Sequence, residues 1–267
     1  MPSPPDPVAV AVGGLEIRWY ALCMLAGVFA GIALSRFLAA QLGLEPDWLL
    51  DVAPWIVLFS IVGARLYYVI LRAPHFATVP WDALNFRLGG LAFHGALIAG
   101  TATFAALCWK HRQPFLHWTD AVIPGVAIAQ AVGRWGNWAN QEAFGTPTNL
   151  PWGLWIDVAR RPEAFADSDR FHPTFLYESM FNLANAALLS WIALRIPRSR
   201  VLRHGDVLAL YLVNYGLARF LIERIRTDSL YLGPVPAAYW LSWLLVIVGV
   251  TLVLTLRRPR GASTFSR

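Results

Sequence analysis

The chain has 267 residues, 57% of them apolar and only 14% charged, whereas a soluble domain is roughly a quarter charged. A mean hydropathy of +0.49, with 13 Trp and 15 Phe, means more apolar surface than one water-facing domain can bury, so a soluble globular protein is excluded. The net charge of +6 does not indicate nucleic acid, because the basic residues are scattered between hydrophobic runs instead of gathered on one polar face.

Met1 to Gly14 is Pro-rich and carries no Lys or Arg, so it lacks the basic start of a cleaved signal peptide and reads as a short tail. Seven hydrophobic segments follow, at about 17–40, 49–71, 89–109, 115–139, 173–196, 205–225 and 234–256. Each is long enough for a tilted membrane-spanning helix, which needs about 20 residues. The fold class expected is therefore all-α: a single polytopic membrane domain over 1–267 with seven transmembrane helices. Cys23 and Cys108 lie in apolar runs without a CxxC or His/Cys cluster, which proposes small core residues and neither a disulfide framework nor a zinc site.

Orientation follows from the basic residues at segment ends, which accumulate on the cytoplasmic side. With the N-terminus outside, Arg36, Lys110, Arg112, Arg195, Arg198, Arg200, Arg203, Arg257, Arg258, Arg260 and Arg267 fall inside. Arg18, Arg72, Arg87, Arg160, Arg161, Arg170, Arg224 and Arg226 fall outside, and the loop near 157–170 mixes its Arg with Asp157, Glu163, Asp167 and Asp169. The reading is N-terminus out, C-terminus cytoplasmic. One long connection, at about 140–172, stands on the outer side, and a loop of that length is usually functional or disordered.

Several polar residues interrupt the apolar runs, and a charge in a membrane helix normally faces a bundle interior or wet cavity and marks a site. Tyr20 opens the first segment as either an aromatic-belt residue or a site residue. Arg65, in the second, is either a scaffold ion-pair member or part of an anion site. His94 is flanked by Gly in the third and reads as a hydrogen-bonded core group or as a proton acceptor that titrates near neutrality. In the fourth, a helix puts Arg134, Asn137 and Gln141 on one face with Glu142 beside them, as a ligand site or as a structural Arg134–Glu142 pair. Glu178, about one turn into the fifth, needs an Arg or a proton. Tyr215, Arg219, Glu223 and Arg226 line one face in the sixth. Arg134 and Arg219 make an anion clamp, since guanidinium grips phosphate two-pronged, unless Arg219 and Glu223 merely pair along their helix.

The ordered motifs resemble the bacterial prolipoprotein diacylglyceryl transferase family over essentially the whole chain. The family pattern Gly-Arg-x-x-Asn-x-x-Asn-x-Glu-x-x-Gly is met by Gly133, Arg134, Asn137, Asn140, Glu142 and Gly145. Ile17-Arg-Trp-Tyr20, Gly63-Ala-Arg65, Gly90-Leu-Ala-Phe-His94-Gly, His172-Pro, Leu176-Tyr-Glu178 and Tyr215-Gly with Arg219, Glu223 and Arg226 add to it. Two departures are visible: Ala96 follows His94-Gly95 where many relatives have a second Gly, and the 140–172 loop is compact.

The resemblance implies an enzyme of the bacterial inner membrane. It moves sn-1,2-diacylglyceryl from phosphatidylglycerol to the lipobox Cys thiol of a prolipoprotein signal peptide, leaving a thioether and releasing glycerol 1-phosphate. It implies His94, Arg134 and Arg219 as catalytic. Tyr20, Asn137, Asn140, Glu142, Gly145, Glu178, Tyr215, Glu223 and Arg226 are implied in substrate binding, the Glu residues orienting the Arg residues. No cofactor or metal is expected, and the long loop is expected to be periplasmic. The alternative is an anion or lipid transporter, which would also carry intramembrane Arg but whose expected inverted repeats do not appear.

Overall fold

A computed structural model describes residues 1–2, 6–85 and 89–258, so Arg87, Arg260 and Arg267 of the charge count lie outside the described residues. The stretch expected to be a tail is in part a hairpin. Val8–Val12 (β1) pairs antiparallel with Leu15–Arg18 (β2). Val8, Val10 and Val12 put β-branched residues at alternate positions, and Gly13 and Gly14 take φ of 54° and 82°, the left-handed pair that a two-residue hairpin turn requires.

Helices Trp19–Gln41 (α1), Pro46–Leu71 (α2), Ala73–Thr78 (α3), Phe93–Lys110 (α4) and Phe115–Asn140 (α5) follow. The long connection holds Leu154–Trp155 (β3) paired with Arg170–Phe171 (β4). Then come Thr174–Arg195 (α6), Asp206–Glu223 (α7), a hairpin of Tyr231–Leu232 (β5) with Val235–Pro236 (β6), and Ala237–Arg257 (α8). Each of the seven hydrophobic segments holds one long helix.

Five of these, α1, α2, α5, α6 with its continuation to Arg198, and α8, are long and apolar enough to cross a membrane. The helices α4 and α7 fall short of that mark. Eighteen residues each rise roughly 27 Å against a hydrocarbon core of about 30 Å. Polar groups also dilute them: α4 carries His94 and Lys110 at its two ends, and α7 carries Asp206, Asn214, Arg219 and Glu223. The chain is a mostly helical, multi-pass membrane protein.

The chain divides into two compact units, Gly43–Trp118 and the remainder. In the larger unit, small residues let backbones touch, which is how helices associate without a hydrophobic driving force between them. Gly27, Gly31 and Ser35 repeat every four residues on α1. A Cβ on Gly27 would stand 2.8 Å from the Ala129 carbonyl oxygen of α5, and one on Gly31 would stand 2.7 Å from that of Gly125. Gly216 of α7 meets Ser242 of α8 in the same way, and Gly249 of α8 meets Ala209. Ala127 of α5, Ala186, Leu189 and Ala193 of α6, and Val207 and Tyr211 of α7 form the apolar core beneath the polar groups described below.

The smaller unit is built on α2 and α4, which approach through Gly63, Gly95 and Gly100. Arg65 is only 4% exposed. Its guanidinium donates to the carbonyls of Ala83 at 2.9 Å, Asn85 at 3.0 Å and Gly90 at 3.1 Å, and to those of Asp82 and Gly89, while lying against the Tyr68 and Phe76 rings. Arg65 thus satisfies the backbone carbonyls of the irregular connection after α3, a structural use different in kind from the ion pair expected of a scaffold Arg.

Candidate active site

The end of α5 is where most of the polar groups meet. Arg134 forms an ion pair with Glu178 of α6 and donates to Asn137 Oδ1 at 3.4 Å. Asn137 Nδ2 donates to Glu142 Oε1 at 2.9 Å and Asn140 Nδ2 to the same oxygen at 3.4 Å. Glu142 is thus bound to the two amides and not directly to Arg134, and the structural Arg134–Glu142 pair weighed above does not form. Glu178 is only 5% exposed, and Arg134 supplies the counter-charge that such a carboxylate requires.

Gln141 does not share the Arg134 face, because α5 ends at Asn140 and Gln141 turns to a φ of 51°. Its side chain faces the long loop instead, donating to Asp157 Oδ2 at 2.6 Å and accepting the Asp157 N–H at 2.8 Å. That loop is ordered around its own core, with Phe144, Leu154, Ile156, Phe171 and Phe175 buried against Trp135 and Trp138.

Gly145 works through backbone proximity. Its N–H donates to the His172 carbonyl at 2.9 Å, and the next N–H, of Thr146, donates to the Ile225 carbonyl at 2.7 Å. A Cβ on Gly145 would stand 2.8 Å from both the Ile225 oxygen and the His172 side chain. The residue therefore joins the start of α6, which carries Glu178, to the segment that carries Arg226. Gly136 has a similar use: a Cβ there would lie 2.7 Å from the Tyr20 ring, so its absence lets Tyr20 of α1 rest on α5 beside Arg134.

On α7, Arg219 pairs with Glu223 at 2.6 Å along the helix, so the pairing weighed as an alternative is present. Glu223 is 4% exposed. Arg226 lies beyond α7 and grips Asp228 with two bonds of 2.9 and 2.7 Å while standing 3.6 Å from Glu178 Oε1. Burial works against the charge of Arg226, but the hydrogen-bonded Asp228 and the nearby Glu178 and Glu223 hold its pKa above the usual arginine value. Asp228 was not singled out from the sequence, although its place two residues after Arg226 was readable. Tyr215 stacks on Tyr211 at 5.7 Å. It also lines one small cavity together with Glu178, Asn182 and Arg219.

The clamp therefore differs from a pair of Arg lacking acidic partners. Both Arg have one, Glu178 for Arg134 and Glu223 for Arg219, and a guanidinium with five N–H donors keeps others for an incoming anion. A carboxylate brace fixes the fork and lowers the entropy lost when phosphate is gripped. His94 stands in the smaller unit, exposed at the start of α4 with Tyr67 and Phe93 rings about it. Among the described residues, no group of three or more His, Cys, Asp or Glu is arranged to hold a metal ion.

Comparison with known proteins points one way. Residues 7–255 match the family model of prolipoprotein diacylglyceryl transferase. The chain is 44% identical to a phosphatidylglycerol–prolipoprotein diacylglyceryl transferase of Synechococcus elongatus, over 92% of this chain and 86% of the relative. A protein of the same name in Parasynechococcus marenigrum is 46% identical over 88% and 84% of the two chains, and one in Gloeobacter violaceus is 42% identical over 92% and 90%.

Proposed function

The chain belongs to the prolipoprotein diacylglyceryl transferase family, and we propose that it transfers diacylglyceryl from phosphatidylglycerol to the lipobox Cys of a prolipoprotein, at the bacterial inner membrane. The relatives' shared name supports a transferase and not the transporter alternative. The observation that carries the chemistry is the pair of carboxylate-braced arginines, Arg134 with Glu178 and Arg219 with Glu223, the first carboxylate and the second arginine lining one cavity. Purified protein given phosphatidylglycerol and a lipobox peptide tests the proposal: the peptide gains one diacylglyceryl group, and a peptide left unmodified would reject it.

In the proposed reaction the thiolate sulfur attacks the glyceryl carbon that bears the phosphate. A C–S bond forms, the C–O bond breaks, and its electron pair leaves on the phosphate oxygen of glycerol 1-phosphate. Arg134 and Arg219 neutralise charge that grows on that oxygen, the kind of fixed electrostatic stabilisation that matters most in a dry site. Tyr20, Asn137, Asn140 and Tyr215 hydrogen-bond the headgroup, while Glu142, Glu178 and Glu223 hold the donors in place. Gly145 keeps the Arg226 and Glu178 segments together.

His94 is the proposed base. A free thiol with pKa near ~8.5 is only a few per cent ionised at pH 7, and a positioned base adds about 10²-fold or more. In the His94→Gln variant the rate deficit is expected to shrink as pH rises toward the thiol pKa. A deficit that does not change with pH would make His94 a positioning group instead.

The fold proposed for the membrane has seven spans within one polytopic domain, N-terminus outside and C-terminus cytoplasmic, with the 140–172 loop periplasmic. The unmixed basic run from Arg195 to Arg203 and the Arg257–Arg258 pair at the end of α8 support it. Reporter fusions at both ends check it: a C-terminal fusion is expected to be active only with a cytoplasmic reporter, and a periplasmic signal there would overturn the orientation.

A further inference from the structure

Asn182 sits one turn after Glu178 on α6 and is 2% exposed. Its Nδ2 donates to the Glu178 backbone carbonyl at 2.9 Å, which fixes the amide's orientation and turns Oδ1 the other way. That oxygen has no hydrogen-bond partner among the described residues. Neither does Glu178 Oε1, from which Arg226 stands 3.6 Å away, beyond hydrogen-bond length. Both residues line the cavity they share with Tyr215 and Arg219. Its free volume is about 10 Å³, room for one hydroxyl or one water.

Two buried acceptors without donors are costly unless something fills the gap with an O–H. The neighbouring Arg219 favours a ligand whose phosphate lies next to its hydroxyl. We propose that Asn182 Oδ1 and Glu178 Oε1 form a hydroxyl-reading subsite, and that Asn182 is a specificity-determining residue that accepts a hydrogen bond from the free glycerol of the phosphatidylglycerol headgroup. The proposal rests on the transferase reading above and deepens it. An acyl chain or an apolar headgroup leaves both acceptors unpaired, so the subsite selects a polyol headgroup over an alkyl one of equal length. The signal was present in the sequence as a Glu-x-x-x-Asn spacing on one helical face.

The test compares two donor lipids with the same acyl chains, phosphatidylglycerol and phosphatidyl-1-propanol, which keeps the three-carbon headgroup and the phosphate but lacks both free hydroxyls. The parent protein is expected to prefer phosphatidylglycerol in kcat/KM by about 10–100-fold, the usual loss when a buried acceptor goes unpaired. In Asn182→Leu the rate with phosphatidylglycerol falls by about tenfold or more while that with phosphatidyl-1-propanol holds, so the preference collapses. A parent that uses both lipids equally overturns the proposal without any variant. A variant whose two rates fall together overturns it as well, because a merely structural residue would act that way. A parent idle with both lipids would remove the transferase reading itself, and this inference with it.

Discussion

Replacing either Arg134 or Arg219 by Lys is expected to lower the transfer rate by about 10²–10³-fold, the loss seen when one donor to a developing oxyanion is removed. Charge is kept, so a site needing only a positive potential would tolerate the change. A Lys ammonium is a compact point charge with no planar fork. It can keep the contact to Glu178 or Glu223 but not offer phosphate a second parallel bond at the same time. Each guanidinium is set by its own carboxylate, Arg219 at 2.6 Å from Glu223 and Arg134 against Glu178. Transfer rate and phosphatidylglycerol affinity for each single variant are the measurements. Near-normal values in both would return these arginines to the scaffold.

Loss of Glu178 is expected to have the largest effect on stability. Its carboxylate is buried between Arg134 and Arg226, so Glu178→Ala takes from the partly buried Arg134 its ion-pair partner, while Arg226 keeps Asp228. Breaking a buried pair from one side costs about 3–5 kcal/mol. Unfolding of the purified variant in detergent, followed by loss of helical signal, reads this directly. Glu142→Ala serves as the contrast: Glu142 is exposed, and its carboxylate accepts from the Asn137 and Asn140 amides, so its removal is expected to leave stability nearly unchanged. Equal destabilisation by the two variants would contradict the assignment of Glu178 as the shared brace.

Much of this arrangement was legible in the sequence. Seven apolar runs located seven long helices, because a 3.6-residue period and membrane-length runs need no tertiary information. Arg134, Glu178, Arg219 and Glu223 stood out because charge inside an apolar run demands a partner. Which partner each takes was not legible. Arg134 chooses Glu178, a residue 44 positions away on another helix, over Glu142, and only packing decides that. Gln141 left its predicted face because the chain turns left-handed there, and the backbone carbonyls that Arg65 meets come from a connection some 20 residues on, which leaves no local pattern to read. The β1–β2 hairpin was missed for a different reason: the Gly13-Gly14 turn and alternating Val were visible, but Pro-rich flanks suggested a tail. At the other end of α5, Asp120 is fully buried and accepts from Gly205 N–H at 3.0 Å while His204 stands at 2.9 Å. Two residues 84 positions apart leave no local pattern to read.

The central claim is that Arg134 and Arg219 act on one phosphate. A double-mutant cycle on the transfer rate, with Arg134→Lys, Arg219→Lys and the pair together, measures it most directly. If both serve the same leaving group, losing either already leaves it poorly stabilised, and the double variant should be about as slow as the slower single one. Losses that multiply in the double variant would show two independent contributions and contradict the shared-phosphate account.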